Sequence, residues 1–292
     1  MSQSLPSTPT GPMTFDGQPA VHLRARDGAQ ATLLLHGGHL VSWQPKGGEE
    51  QLYLSPTTRY GAGQAVRGGV PVCFPQFSDR GPLPKHGFAR TRAWTLLEAQ
   101  VRGEHAYAVL RLTDDDATRA LWPHAFTLEV TVSVGGPRID IELAVTNTGD
   151  TAENSTFDFT CALHTYLRSG NVLKAQLEGL QGAHYYDHVA REDGKQQWID
   201  VLTVAQELDR IYWQAPKPLL LRELGRRLSI DSPGFDDTVV WNPGAANAAA
   251  MADLPDDDWL GMLCVEAAQI GTPVRLAAGQ EWSAMQTLIV RD

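Results

Sequence analysis

A chain of 292 residues, 42% hydrophobic and 20% charged, has the apolar material for a sizeable core, in one large domain or two ordinary ones. Its formal net charge of −10 argues against nucleic acid, where phosphate neutralisation needs a basic surface, and against an anionic membrane surface. A small anionic ligand remains possible only where a few basic residues reverse the field locally.

The chain begins with "MSQSLPSTPTGP", which has neither the basic start nor the apolar centre of a secretory signal. A disordered lead-in is expected over residues 1–14, followed by a single domain over 15–292. No apolar run approaches a membrane span, and a cytoplasmic protein is expected. Cys73, Cys161 and Cys264 are odd in number, have apolar neighbours and show no CxxC spacing, so they read as buried free thiols. "HGGH" (His36 to His39) lacks a third ligand at a familiar zinc spacing, and "GAGQAVRGG" (Gly61 to Gly69) fits neither a dinucleotide fingerprint nor a phosphate-binding P-loop.

Between Arg67 and Arg90 lies "RGGVPVCFPQFSDRGPLPKHGFAR", with four prolines and four glycines. That composition precludes regular helix and specifies a constrained loop. Arg67 and Arg90 flank it, with Lys85 and His86 between. Guanidinium groups match the oxygens of a phosphate or carboxylate through parallel N–H bonds. The competing reading makes both arginines ordinary ion-pair partners, and spacing alone favours neither.

Strand patterns follow. "AYAVLRL" (Ala106 to Leu112) alternates, and "DDATRALWP" offers a helical turn or two before its proline. In "FTLEVTVSV" Phe126, Leu128, Val130, Val132 and Val134 alternate with polar residues. "GGPR" then turns the chain into "IDIELAVTN", with Ile139, Ile141, Leu143 and Val145 on one face, which predicts a β-hairpin. "STFDFTCALH" puts Phe157, Phe159, Cys161 and Leu163 on one face and Thr156, Asp158, Thr160 and His164 on the other. A histidine there, beside Asp158, can donate a proton near neutral pH or simply be hydrogen-bonded in a half-exposed sheet. "HYYDH" (His184 to His188) again lacks a zinc partner. Asp209 in "ELDRIYW" can bond a polyol or pair with Arg210. "GAANAAAMADLPDDD" (Gly244 to Asp258) reads as an exposed loop. In "WLGMLCVEAAQ", Glu266 ends an apolar run; it is either a general base with a tuned pKa or the first polar residue after a core strand. "WSAMQTLIV" (Trp282 to Val290) is a last strand. Trp43, Trp213, Trp241 and Trp259 are read as core rather than as a sugar platform. Recurrent turns without a linker indicate one antiparallel all-β domain.

Five stretches in series, "RGGVPVCFPQF", "LPKHGFAR", "ALHTYL", "DDTVVWNPG" and "CVEAAQ", resemble the glucose-6-phosphate 1-epimerase (hexose-6-phosphate mutarotase) family, the phosphosugar branch of the aldose 1-epimerase, galactose-mutarotase-like superfamily. The resemblance runs from about Phe15 to Ile289. It implies a large twisted antiparallel β-sandwich, the galactose-mutarotase-like supersandwich, and an isomerase needing no cofactor and no metal. A hexose phosphate is the implied substrate, most directly glucose 6-phosphate, and a monomer is expected. By resemblance His164 protonates the ring oxygen and Glu266 takes the anomeric hydroxyl proton. Arg67 and Arg90 contact the substrate and its phosphate, and Asp209 holds a sugar hydroxyl; His86 would orient the sugar near its ring oxygen. Reference pKa values of about 4.3 and 6.5 would leave Glu266 charged and His164 charged together in mildly acidic to neutral solution. Two positions depart from the family pattern: Lys85 stands where Gln or Ala is frequent, and Ser78 where glycine commonly follows "P-x-F". Lys85 is a candidate additional phosphate contact. The alternatives are a mutarotase for unphosphorylated aldoses and a non-catalytic carbohydrate-binding protein, the latter disfavoured by an intact acid and base.

Overall fold

The computed structural model describes residues 9–150 and 156–291. Among them the chain forms three antiparallel sheets of four, eight and nine strands. The nine-stranded sheet contains the expected hairpin, Phe126–Gly135 and Arg138–Asn147, flanked by His105–Thr113 and Glu281–Arg291. Its register sets Leu128 opposite Val145, Val130 opposite Leu143, and Val132 opposite Ile141, all buried. Each such fully buried side chain contributes roughly 1.5–3 kcal/mol. Alternation is therefore satisfied twice, along each strand and across the pair.

The eight-stranded sheet positions the site. It runs through Glu192–Gln196, His184–Asp187, Leu208–Tyr212, Asp237–Asn242, Met262–Leu276, Phe157–Leu163 and Val72–Cys73, with Tyr166–Arg168 also paired to Met262–Leu276. Its two faces serve different purposes. Phe157, Phe159, Cys161, Leu163, Leu263, Val265, Ala267, Val240 and Tyr212 belong to the main core with the nine-stranded sheet. The alternate residues Ala162, Ala268, Val239 and Ile211 lie on the other face, in a smaller cluster with Cys73 and Phe77. Register carries that second face across the sheet: Ile211 faces Val239, Val239 faces Glu266, and Asp209 faces Trp241, which faces Cys264.

Three expectations are corrected. The ordered chain starts before residue 15, because Gly11–Phe15 pairs with Gln18–Arg24, and Met13 and Phe15 pack on Ala20, Leu34 and Val41. The turn between them is Asp16-Gly17, both with positive φ (46° and 76°), the two-residue hairpin turn that an Asp-Gly pair favours. Residues 1–8 of the expected lead-in lie outside the described residues. Gly244–Asp258 is not all loop: its alanines form a helix over Gly244–Ala250 that buries Ala248, as expected of the best helix-forming residue, and only the acidic half is irregular. Finally, Glu266 does not end its strand, which continues to Leu276 with Glu266 1% exposed. The Asp115–Pro123 stretch holds one short helix, Asp116–Leu121, with Asp115 and Thr118 forming a capping box.

Candidate active site

On the second face of the eight-stranded sheet a cavity of about 190 Å³ is lined by Arg67, Lys85, His86, Arg90, His164, Asp209 and Glu266. All seven sequence-predicted residues therefore share one cavity. They come from the constrained loop, the end of the Phe157–Leu163 strand and two other strands of the same sheet, Leu208–Tyr212 and Met262–Leu276. The glycines of the loop explain how it approaches so closely. Gly69 (φ 61°) runs against the Leu40 carbonyl, where a Cβ would stand 2.2 Å from the oxygen; Gly87 (φ 68°) would put one 2.1 Å from the Phe74 carbonyl oxygen. No other residue fits either position.

His164 and Glu266 are in direct contact, Nε2 to Oε1 at 3.3 Å. His164 stacks on Tyr166 (ring centroids 4.9 Å apart, planes 14° apart) and meets His86 edge-on. Burial pushes the His164 imidazole down to about 3, aided by the nearby charges of Arg90 and Arg67. Burial pushes Glu266 well above the usual carboxylate range, with Asp209 adding to it and Arg90 opposing. This corrects the ionisation expected from free-solution values. The enclosed site disfavours net charge on the pair, so His164 and Glu266 together hold one proton, and the 3.3 Å contact lets it lie on either partner. Asp158 is not beside His164; it is exposed and pairs with Arg275.

His86 is fixed as a donor. The Ser78 backbone N–H donates to His86 Nδ1 at 3.2 Å, and Cys73 Sγ lies 3.1 Å from the same nitrogen. A nitrogen that accepts from a backbone amide carries no proton, so the proton of the neutral ring is on Nε2. Burial, with neighbouring positive charge, holds the ring far below the usual histidine range and hence neutral. Ser78 itself has φ 51°, in the left-handed region that favours glycine. Asp209 is pushed up to about 6, chiefly by burial, with Glu207 and Asp187 adding and His188 and Lys85 opposing. Arg210 pairs with Asp187 rather than with Asp209, which leaves Asp209 to the cavity.

The two arginines differ. Arg67 donates to Asp253 and to the Tyr166 hydroxyl (2.9 Å). Arg90 donates through Nη2 to the Lys85 carbonyl at 3.0 Å; its Nε is buried without a partner, and no described carboxylate is within ion-pair distance. Lys85 is exposed at the cavity edge. The structural ion-pair reading thus holds for Arg67 and fails for Arg90.

Other residues escaped the sequence reading. Arg80 and His188 also line the cavity, Arg80 lying over the rings of Tyr186 and Trp213 at 5.1 and 5.6 Å. Only their place in the loop and beside Asp209's strand hinted at this. Trp241 lines the cavity too, and the alternation of "DTVVWN" puts it on Val239's face; Trp43 is core as expected. His36 and His39 bond the Gln64 and Gly68 carbonyls and are structural, and all three cysteines are buried and free. His164, Cys264 and Glu266 present donor atoms within 4.8 Å of one another, the ligand types of a zinc site. A dication there would face the guanidinium groups of Arg67 and Arg90 and a thiol that burial keeps protonated, so the trio is a poor metal cage. No described helix is long and apolar enough to cross a membrane.

A histidine and a carboxylate sharing one proton, next to hydrogen-bonding groups in a small polar cavity, can in chemical terms move protons on a bound polar molecule. Comparison with known proteins makes this specific. The aldose 1-epimerase family matches residues 19–288, and the chain belongs to that family and is an isomerase of the epimerase type. It is 32% identical over 279 residues to a provisionally named glucose-6-phosphate 1-epimerase from Cenchrus ciliaris, covering 92% of this chain and 84% of that one. It is 35% identical over 246 residues to a protein of the same provisional name from Escherichia coli K12 (82% and 79% covered). The crystal structure of a provisionally assigned mutarotase, YeaD, from Salmonella typhimurium superposes with a TM-score of 0.87 at 30% identity, covering 96% of this chain and 93% of that one. The all-β mutarotase sandwich is thereby established.

Proposed function

We propose that the protein interconverts the α and β anomers of hexose 6-phosphates, glucose 6-phosphate first among them. The observation that carries the phosphosugar reading is Arg90: a guanidinium with a buried Nε and no carboxylate in ion-pair distance among the described residues, in the same cavity as the acid–base pair. In a chain of net charge −10, an anionic substrate depends on such a local cation. Lys85 supplies a second charge, and the names of the relatives point the same way.

Chemistry follows from the shared proton. In the reactive form Glu266 is the carboxylate and His164 the imidazolium, reached from the neutral form by moving one proton across the 3.3 Å contact with no change in net charge. Glu266 takes the proton of the anomeric hydroxyl while His164 gives one to the ring oxygen, and the C1–O5 bond breaks to leave the aldehyde. Rotation about C1–C2 presents the other carbonyl face. Reclosure returns both protons. His86 Nε2–H donates to a sugar oxygen and Asp209 accepts from a sugar hydroxyl, fixing the ring. A mutarotase for unphosphorylated aldoses uses the same pair, and the difference lies at Arg90 and Lys85. Saturation-transfer NMR of glucose 6-phosphate anomers, with glucose alongside, tests the proposal. Exchange accelerated for the phosphate ester well beyond glucose is the expected result; exchange of neither sugar would refute the function.

A further inference from the structure

Two arginines of the cavity are held in opposite ways, and the difference singles out one that has no role in the mechanism above. Arg67 is held by charge: Asp253 Oδ2 accepts from its Nε at 3.2 Å and lies 3.1 Å from its Nη2. Arg80 is held by rings. Its guanidinium carbon lies 5.1 Å from the centroid of the Tyr186 ring and 5.6 Å from that of Trp213. Among the described residues no carboxylate is within ion-pair distance of it, and its side chain has no hydrogen-bond acceptor. An aromatic face attracts a cation through its quadrupole but does not neutralise it. Arg80 is thus fixed with its charge intact and its five N–H donors free.

The backbone beneath it is equally constrained. Arg80 sits in "SDRGP", the five residues between the stretches "RGGVPVCFPQF" and "LPKHGFAR". The buried Gln76 side chain spans the base of this tip. Its Nε2 donates to the Ser78 carbonyl at 2.9 Å and the Leu83 carbonyl at 3.2 Å, and its Oε1 accepts from the Leu83 N–H at 2.9 Å. The His86 N–H also donates to the Ser78 carbonyl, and the Arg80 N–H to that of Phe77. Trp213 is set in turn by its Nε1, which donates to Asp193 at 3.2 Å. A braced tip and two rings therefore hold an unneutralised guanidinium on the wall of the cavity that contains His164 and Glu266. A cavity of about 190 Å³ takes one small ligand, so that ligand meets this charge. Packing the tip against the rings needs no charge, since a methionine would cover them as well. We propose that Arg80 is a specificity-determining residue that donates to the phosphate of a sugar phosphate, with Tyr186 and Trp213 as the residues that position it. This inference rests on the phosphosugar reading of the same cavity and adds to it a residue that the motif stretches do not contain.

The test measures inorganic phosphate binding by calorimetry, and kinetics with glucose 6-phosphate and glucose. The proteins are wild type, Arg80→Ala, Arg80→Met, Arg80→Lys, Trp213→Leu and the double variant Arg80→Ala/Trp213→Leu. Arg80→Ala and Arg80→Met each weaken phosphate about threefold to tenfold, the loss of one charge-assisted contact at an exposed position. With glucose 6-phosphate they raise KM by about the same factor and change kcat less, the mark of a contact shared by ground and transition states, while glucose kinetics change much less. Arg80→Lys keeps the charge and most of the affinity. Trp213→Leu weakens phosphate about twofold to threefold in the parent and has no effect once Arg80 is gone, because the ring acts through the guanidinium. A packing role gives another pattern: Arg80→Met behaves as wild type, and Arg80→Ala affects both sugars alike. Either result overturns the inference, and a Trp213→Leu effect that persists without Arg80 overturns the positioning role. Wild type that prefers the phosphate ester, with Arg80→Ala preferring it equally, overturns the inference alone. Wild type that neither binds phosphate nor prefers the ester overturns the phosphosugar reading and this inference with it.

Discussion

Two sets of side chains in the cavity solve opposite electrostatic problems. His164 and Glu266 are enclosed, and burial drives each toward its neutral form, so the pair holds a single mobile proton. Arg90 and Lys85 have no ion-pair partner among the described residues, and Lys85 is in contact with solvent. The contrast teaches that the acid–base pair requires the absence of net charge to move protons cheaply, whereas recognition of an anion requires its presence. Damage to the first should affect every sugar, and damage to the second only phosphorylated ones.

The largest expected effect breaks the acid–base pair. Glu266→Gln and His164→Asn each remove a general acid–base group, worth about 10²–10⁴ in rate, and should reduce turnover of glucose 6-phosphate and glucose alike. Near-wild-type turnover in Glu266→Gln would remove the mechanism. The same substitution should stabilise the protein. A carboxyl whose folded pKa is raised costs stability as pH rises from the unfolded value toward the folded one, so the gain in Tm of Glu266→Gln over wild type should grow from pH 5 to pH 8. A gain that shrinks with pH would contradict the raised value.

Next in size is the loss of a cation. Arg90→Ala should weaken kcat/KM for glucose 6-phosphate about tenfold or more and change glucose much less. Lys85→Ala should act in the same sense but within about tenfold, since exposed charges are screened, and rising salt should shrink its share first. The smallest effect is on the pH profile. Protonation of both partners sets the acid limb and loss of the shared proton the alkaline limb. With His164 lowered to about 3 and Glu266 raised, the plateau of kcat/KM with an unphosphorylated sugar should extend more than a unit below the ordinary histidine pKa of about 6.5. A narrow optimum centred between free glutamate and free histidine values would favour two independent groups.

The sandwich was legible wherever one strand face is polar and the other apolar. Phe126–Gly135 and Arg138–Asn147 write that rule into sequence, because one face meets the core and the other meets water. The eight-stranded sheet is harder to read: both faces of Met262–Ile270 are buried, one on the core and one on the site, so alternation vanishes and Glu266 looks like the end of a strand. Loop composition and strand pattern singled out His164, Glu266, Arg67 and Arg90, motif resemblance gave them roles, and all four line the cavity. What stayed hidden depends on contacts between distant segments. Asp253 lies 186 residues from Arg67, and nothing in "MADLPDDD" distinguishes it from the acids around it. The charge state of the pair was hidden for the same reason, since enclosure is a property of the fold and not of either residue's neighbours in sequence.

The division of roles between the pair and the cations is tested most directly by the ratio of kcat/KM for glucose 6-phosphate to that for glucose, compared between wild type and Arg90→Ala. A wild-type ratio well above one that falls about tenfold in Arg90→Ala, with the glucose value nearly unchanged, is the predicted result. A ratio near one in both proteins, or an equal loss for both sugars in Arg90→Ala, would contradict it and leave a mutarotase that does not read the phosphate.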